Sequence, residues 1–123
     1  MDTDSVIERF HEREISTRMV RHASTLYIGG ITATDKARSF DEQARNVLAQ
    51  LDNYLSSVGA DKQRLLFVTV FLSDLASHKP RFNEVWLEWL EAQPKPARTC
   101  VQATLDSVDT LVEINAIAVC TEN

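Results

Sequence analysis

At 123 residues the chain has the length of one domain, and its 44% apolar and 25% charged side chains are those of an ordinary globular protein. Its 13 basic and 18 acidic residues give a formal charge of −5 without any basic run, which argues against a nucleic-acid partner. The start, Met1-Asp2-Thr3-Asp4, is polar and acidic rather than a secretory leader. No apolar stretch approaches the roughly 20 residues of a membrane span. Two cysteines, Cys100 and Cys120, make neither a disulfide framework nor a metal-ligand spacing, and His11, His22 and His78 are scattered. The expectation is a cytoplasmic chain with free thiols, no metal and no membrane partner.

A first strand is expected near residues 4–12, anchored by Val6 and Phe10, followed by strands over Met19–Ala23 and Thr25–Gly29 that turn around Ala23-Ser24. Gly29-Gly30 closes the second of these. A pair without β-carbons allows unusual φ or close approach by a ligand, and equally marks a bulge or a strand end. Ser39-Phe40-Asp41-Glu42 fits a capping box. Phe40, Ala44, Val47, Leu48, Leu51, Leu55 and Val58 then share one helical face, and Gly59 stands where a left-handed residue ends a helix over 39–58.

The continuously apolar run Leu65–Leu72 reads as a central strand covered on both faces. A second helix is expected from about Ser77 to Ala92, turning Phe82, Val85, Trp86, Trp89 and Leu90 inward, with Pro94 and Pro96 ending it. Both tryptophans read as packing residues. Two strands close the chain. In the first, Arg98, Cys100 and Gln102 alternate with Ala97, Thr99, Val101 and Ala103; in the second, Val112, Ile114, Ala116 and Ala118 share a face, and Glu113 and Asn115 lie opposite with Ile117 and Val119. The sum is an α+β architecture, a single mostly antiparallel sheet covered on one face by two helices. An arginine and a glutamate on otherwise apolar strands call for a partner or a ligand, because desolvating either alone is expensive.

The segment Pro96-Ala97-Arg98-Thr99-Cys100-Val101, followed by Val112-Glu113-Ile114-Asn115-Ala116-Ile117-Ala118-Val119, resembles the C-terminal signature of the Rid family, the small YjgF-type proteins also called the endoribonuclease L-PSP family. Gln43, Ala44, Asn46 and Leu48 in the first helix, Val68–Leu75 with its Asp-Leu exit, and Phe82-Asn83-Glu84-Val85-Trp86 agree with that family, and the resemblance covers roughly residues 16–120. It implies a fold similar to the trimeric chorismate mutases, a homotrimer with clefts between neighbouring subunits, and no cofactor. It also implies hydrolysis of reactive 2-imino acids and their enamine tautomers, such as 2-aminoacrylate, to 2-oxo acids and ammonia.

Within that expectation each residue type suits its task. The planar Arg98 guanidinium holds the substrate carboxylate and aims C2. Glu113 accepts a proton from the attacking water and returns it to the leaving nitrogen. Cys100, on the face of Arg98, lines the cleft rather than acting as nucleophile, since no base is placed to activate it. Asn83 stands near the entrance, Gly30 supplies backbone at the pocket wall, and Ser16 occupies a position over the substrate.

Several positions depart from the family pattern. Gly29 stands where the archetypal branch has serine, Ser16 where it has tyrosine, and Asn115 where it has a second glutamate. One extra residue lies around His78-Lys79-Pro80, and the loop before Arg98 is shorter. Three other readings stay open at this point. One is a non-catalytic trimer that binds a small carboxylate such as a 2-oxo acid. Another is an RNA-cleaving or translation-inhibiting protein, which the charge disfavours. The third is a plain Arg98–Glu113 ion pair between neighbouring strands or subunits.

Overall fold

Six strands and two helices follow the expected order in the computed structural model, which describes residues 6–120. Strand β1 (Ile7–Glu12) begins later than expected; residues 4 and 5 of the expected strand, and the acidic Met1–Asp4 start, lie outside the described residues. Val6 is exposed outside the strand, and Phe10 is its one half-buried residue. Strands β2 (Thr17–His22) and β3 (Thr25–Thr32) form the expected hairpin, turned at Ala23, whose φ is 55°.

Strand β3 does not stop at the glycine pair. Ile28 and Ile31 must both reach the core although they are three residues apart, an odd spacing that plain alternation forbids. Ile28 pairs with Ala116 and Ile31 with Ile114, so Gly29 and Gly30 together face the single residue Asn115. This β-bulge absorbs the extra residue and restores the phase. Neither glycine has positive φ, so the unusual-φ reading of the pair does not apply.

Helix α1 (Phe40–Ser57) begins as the sequence suggests: the Ser39 hydroxyl accepts from the Glu42 amide at 3.2 Å. The reciprocal half of the capping box is replaced by the Ser39 hydroxyl donating to the Glu42 carboxylate at 3.1 Å. Its end is a Schellman motif, with Gly59 at φ 74°, the Gly59 amide on Ser56 O and the Ala60 amide on Leu55 O. A short 3-10 turn (Lys62–Arg64) leads into β4 (Leu65–Leu72).

Helix α2 spans Leu75–Leu90, two residues earlier at both ends than expected. The Asp74 carboxylate accepts from the Ser77 amide at 3.1 Å and so caps the start. Two successive left-handed residues, Glu91 (φ 53°) and Ala92 (φ 65°), end it before either proline acts. Strands β5 (Ala97–Gln102) and β6 (Val112–Val119) complete one sheet of order β1-β2-β3-β6-β4-β5, antiparallel except for the parallel β4–β5 pair.

Both helices cover one face, where Met19, Leu26, Val68, Val70, Ile114 and Ala116 meet Leu48, Leu51, Phe82 and Val85. The reading of β4 as a strand buried on both faces is corrected. Leu65, Val68, Val70 and Leu72 are buried, while Phe67, Thr69 and Phe71 on the other face remain half-exposed. With Tyr27, Ile117 and Val119 they give the sheet an apolar open face. No described helix is long and apolar enough to cross a membrane.

Candidate functional site

Register decides where each candidate residue points. Arg98 on edge strand β5 pairs with Val68, and Val68 with Ala116, so Arg98 lies on the helix-covered face. There α2 receives it. Nη2 donates to Asn83 Oδ1 at 2.7 Å, and the guanidinium carbon stands 5.2 Å from the Trp86 ring centre and 5.8 Å from that of Phe82. Two aromatic faces thus hold a cation that has no ion-pair partner among the described residues. Nη1 is buried without a hydrogen-bond partner. The Nη1 donors are thus left without an acceptor among the described residues.

Cys100, two residues on, shares this face. Burial pushes its thiol up from the ordinary value, against a smaller lowering by Arg98 and Lys79. A thiol held protonated is a poor nucleophile. Next along the strand, Gln102 Oε1 accepts from the Leu75 amide at 2.9 Å and ties β5 to the first turn of α2.

Glu113 belongs to the other face. It pairs with Phe71 on β4 and with Thr32 on β3, on the open side of the sheet. Its carboxylate lies over the bulge: a β-carbon on Gly30 would come within 3.0 Å of Glu113 Cδ and closer still to Oε2. Gly30 thus leaves open the space in which the Glu113 carboxylate lies. Ser16 borders the same glycine pair, in a hollow of about 90 Å³ shared with Arg13, Thr17 and Arg18. Asn115, opposite the bulge, also faces the open side through its pairing with Thr69.

The candidate residues thus form two groups. Arg98, Asn83 and Cys100 come together on the helix-covered face at the β5 edge; Glu113 lies against Gly30 on the open face, and Ser16 borders the glycine pair in a hollow whose lining does not include Glu113. Strand β4 separates β5 from β6, and the two charged residues point to opposite sides, so an Arg98–Glu113 ion pair between neighbouring strands of one chain is not made. Alternation alone placed each residue correctly on its own strand. It could not relate the faces of two strands that are not neighbours.

Three supporting residues carried weaker signals. Phe82 and Trp86 were legible as inward-facing, but not as the bed of Arg98. Gln43 is 1% exposed; its Nε2 donates to Asp109 O at 2.9 Å and its Oε1 accepts from the Leu111 amide at 3.1 Å, fixing the entry to β6 just before Glu113. A buried polar residue inside an apolar helical stripe is a signal of this kind. Arg18, which reaches the glycine pair, gave none in the sequence.

The chain is similar to known proteins over most of its length. Residues 11–120 match the family model described as Endoribonuclease L-PSP. The RutC family protein YoaB of Escherichia coli K12 is 37% identical over 100 residues, 81% of this chain and 86% of that one. The 3-aminoacrylate deaminase RutC of Acinetobacter baylyi is 32% identical over 99 residues, 76% of this chain and 77% of that one. The crystal structure of NMB1025, a YjgF-family protein of Neisseria meningitidis, superposes with a TM-score of 0.91 at 29% identity, covering 98% of this chain and 99% of that one.

Proposed function

This chain belongs to the endoribonuclease L-PSP (YjgF/Rid) family, and from that premise we propose that it is a hydrolytic deaminase of reactive 2-imino and enamino acids. The observation that carries the proposal is the Arg98 guanidinium: a cation with no carboxylate partner among the described residues, held by Asn83 beside two aromatic rings, with an N–H edge at Nη1 that has no acceptor there. That edge suits an incoming carboxylate bidentately, at about 1.5–3 kcal/mol for the charge-assisted contact. The similarity to a 3-aminoacrylate deaminase supports the reaction class.

The reaction needs few parts. With the substrate carboxylate on Arg98, the C=N carbon is fixed one bond away. Glu113 takes a proton from water as its oxygen attacks C2, giving a carbinolamine. The same carboxyl group returns that proton to nitrogen, then takes the carbinolamine hydroxyl proton and passes it to the amine as the C=O bond forms and the C–N bond breaks, so 2-oxo acid and ammonia leave. General acid–base help of this kind contributes about 10²–10⁴-fold.

Because Arg98 and Glu113 point to opposite sides of one sheet, the complete site is built from two copies, the β5 rim of one lying against the open face of the next. The half-exposed apolar face of Phe67, Phe71, Ile117 and Val119 supports such an assembly, and three copies closed around an axis give three equivalent clefts. The test generates imino acids in situ with an amino-acid oxidase or dehydratase and follows 2-oxo acid release. Wild type should accelerate it and Arg98→Ala should not. Saturable 2-oxo acid binding with no acceleration would favour the carboxylate-binding alternative instead.

A further inference from the structure

Resting on the reading of Glu113 as the acid–base group, we propose that Arg18 is the positioning residue for that carboxylate, acting through the Gly29–Gly30 bulge. Bulge geometry is the weak point of the site. Two residues of β3 face one of β6, so the carbonyls of the bulged residues are the ladder groups left without regular partners. Arg18 supplies the missing donors. Its Nη1 donates to both Gly29 O, at 3.4 Å, and Gly30 O, the shorter of the two contacts.

The guanidinium is itself fixed. Its carbon lies 5.4 Å from the centre of the Tyr54 ring on α1, and that ring is flanked by His11 with ring centres 6.0 Å apart. Arg18 makes no ion pair among the described residues, and its Nε is buried without a hydrogen-bond partner. A cation placed in this way, against a ring face and two backbone carbonyls, leaves a donor unsatisfied to hold a shape. The shape it holds is the one Glu113 rests on, since the carboxylate lies where a Gly30 side chain would stand. The path is contiguous: Tyr54, Arg18, the two glycine carbonyls, Gly30 Cα, the Glu113 carboxylate. Without Arg18 the bulge can shift along the ladder, and a displacement on the order of 1 Å at the acid–base group lowers turnover by about 10²-fold.

The test separates this from a merely structural or a substrate-binding role. Arg18→Met keeps an unbranched apolar stem and removes the donors, so kcat should fall roughly ten- to hundred-fold while KM, set by Arg98, stays within about twofold. Arg18→Lys, which keeps one donor, should recover part of kcat. Gly30→Ala should give the same kcat defect, and the double variant Arg18→Met/Gly30→Ala should be no worse than either single one. A KM that rises as kcat falls would make Arg18 a substrate ligand and overturn the proposal, as would unchanged kcat in a folded Arg18→Met or Arg18→Lys protein. Should wild type hydrolyse no imine, the deaminase reading fails by itself. The positioning role is then read from NMR, where Arg18→Lys must move the Gly30 amide and the Glu113 Cδ resonances; unmoved resonances would end it.

Discussion

The carboxylate of Glu113 lies directly over Gly30, so close that a β-carbon at Gly30 would stand within 3.0 Å of Glu113 Cδ. One residue is a glycine because the other needs its space. That relationship ties a strand irregularity on β3 to the carboxylate on β6 that we propose as the acid–base group, and it leads to a direct prediction. Gly30→Ala should lower kcat by about 10²-fold through misplacement of the carboxylate. The Glu113 side chain is flexible and can give way, so the melting temperature should change little. A large loss of stability with intact specific activity would mean that the contact serves folding alone.

For Arg98, the ring faces of Phe82 and Trp86 and the Asn83 oxygen position a planar fork. Arg98→Lys keeps charge but not the fork, and should weaken carboxylate binding nearly as much as Arg98→Ala. We expect a rise of roughly 10- to 100-fold in KM or in the Kd of a 2-oxo acid, measured by calorimetry, from the loss of a charge-assisted pair. The assembly should remain intact in sedimentation.

Cys100 offers a chemical test. Its thiol is pushed upward mainly by burial, so at pH 7–8 it should alkylate with iodoacetamide more slowly than an ordinary exposed thiol, whose pKa is about 8.5. The rate should climb only as pH rises above that value. Cys100→Ser should then reduce turnover mildly; complete loss of activity would restore the nucleophile reading.

Acid stability follows from three carboxylates. Asp41 is held below the usual carboxylate range first by its hydrogen bonds from Arg81, Nε to Oδ1 at 2.9 Å and Nη2 to Oδ2 at 2.5 Å, which join α1 to α2. Asp74 is lowered chiefly by Ser77, and Asp106 chiefly by Thr110 and Lys36. A group whose folded pKa is depressed stabilises the fold above its unfolded pKa of about 3.9 and loses that contribution as pH falls through the folded value. Stability in urea should therefore be flat near neutrality and decline below about pH 4. Asp41→Asn should flatten part of the decline, and high salt should weaken the effect because these groups are exposed.

Much of this was legible before any coordinates. The capped helix at Ser39, its Gly59 end, the run Leu65–Leu72 and the alternation of β6 each rest on local patterns that one element satisfies alone. What stayed hidden was relational. The β3 bulge arises because Ile28 and Ile31 must serve one core, and the α2 start because the Asp74 side chain competes for the Ser77 amide. The opposed faces of Arg98 and Glu113 depend on strand order, with β4 placed between β5 and β6. Reading β4 as buried on both faces failed within the chain because its second apolar face, Phe67 and Phe71, has no cover in a single copy.

That uncovered face gives its own prediction. Phe71→Asp, beside Glu113 on the open side, should split the assembly in analytical ultracentrifugation and abolish turnover together, while far-ultraviolet circular dichroism stays unchanged. Monomers that remain fully active would show that one copy carries a whole site.

The most direct measurement of the central claim mixes two variants. Arg98→Ala and Glu113→Gln should each hydrolyse an imino acid generated in situ far more slowly than wild type, and each keeps the half-site the other lacks. Subunits unfolded together and refolded as random trimers should regain about a quarter of wild-type 2-oxo acid release, because one cleft in four then unites an intact Arg98 with an intact Glu113. Recovery near that level places the reaction between copies of this chain. No recovery from properly assembled mixtures, with wild type active in parallel, would contradict the two-copy site.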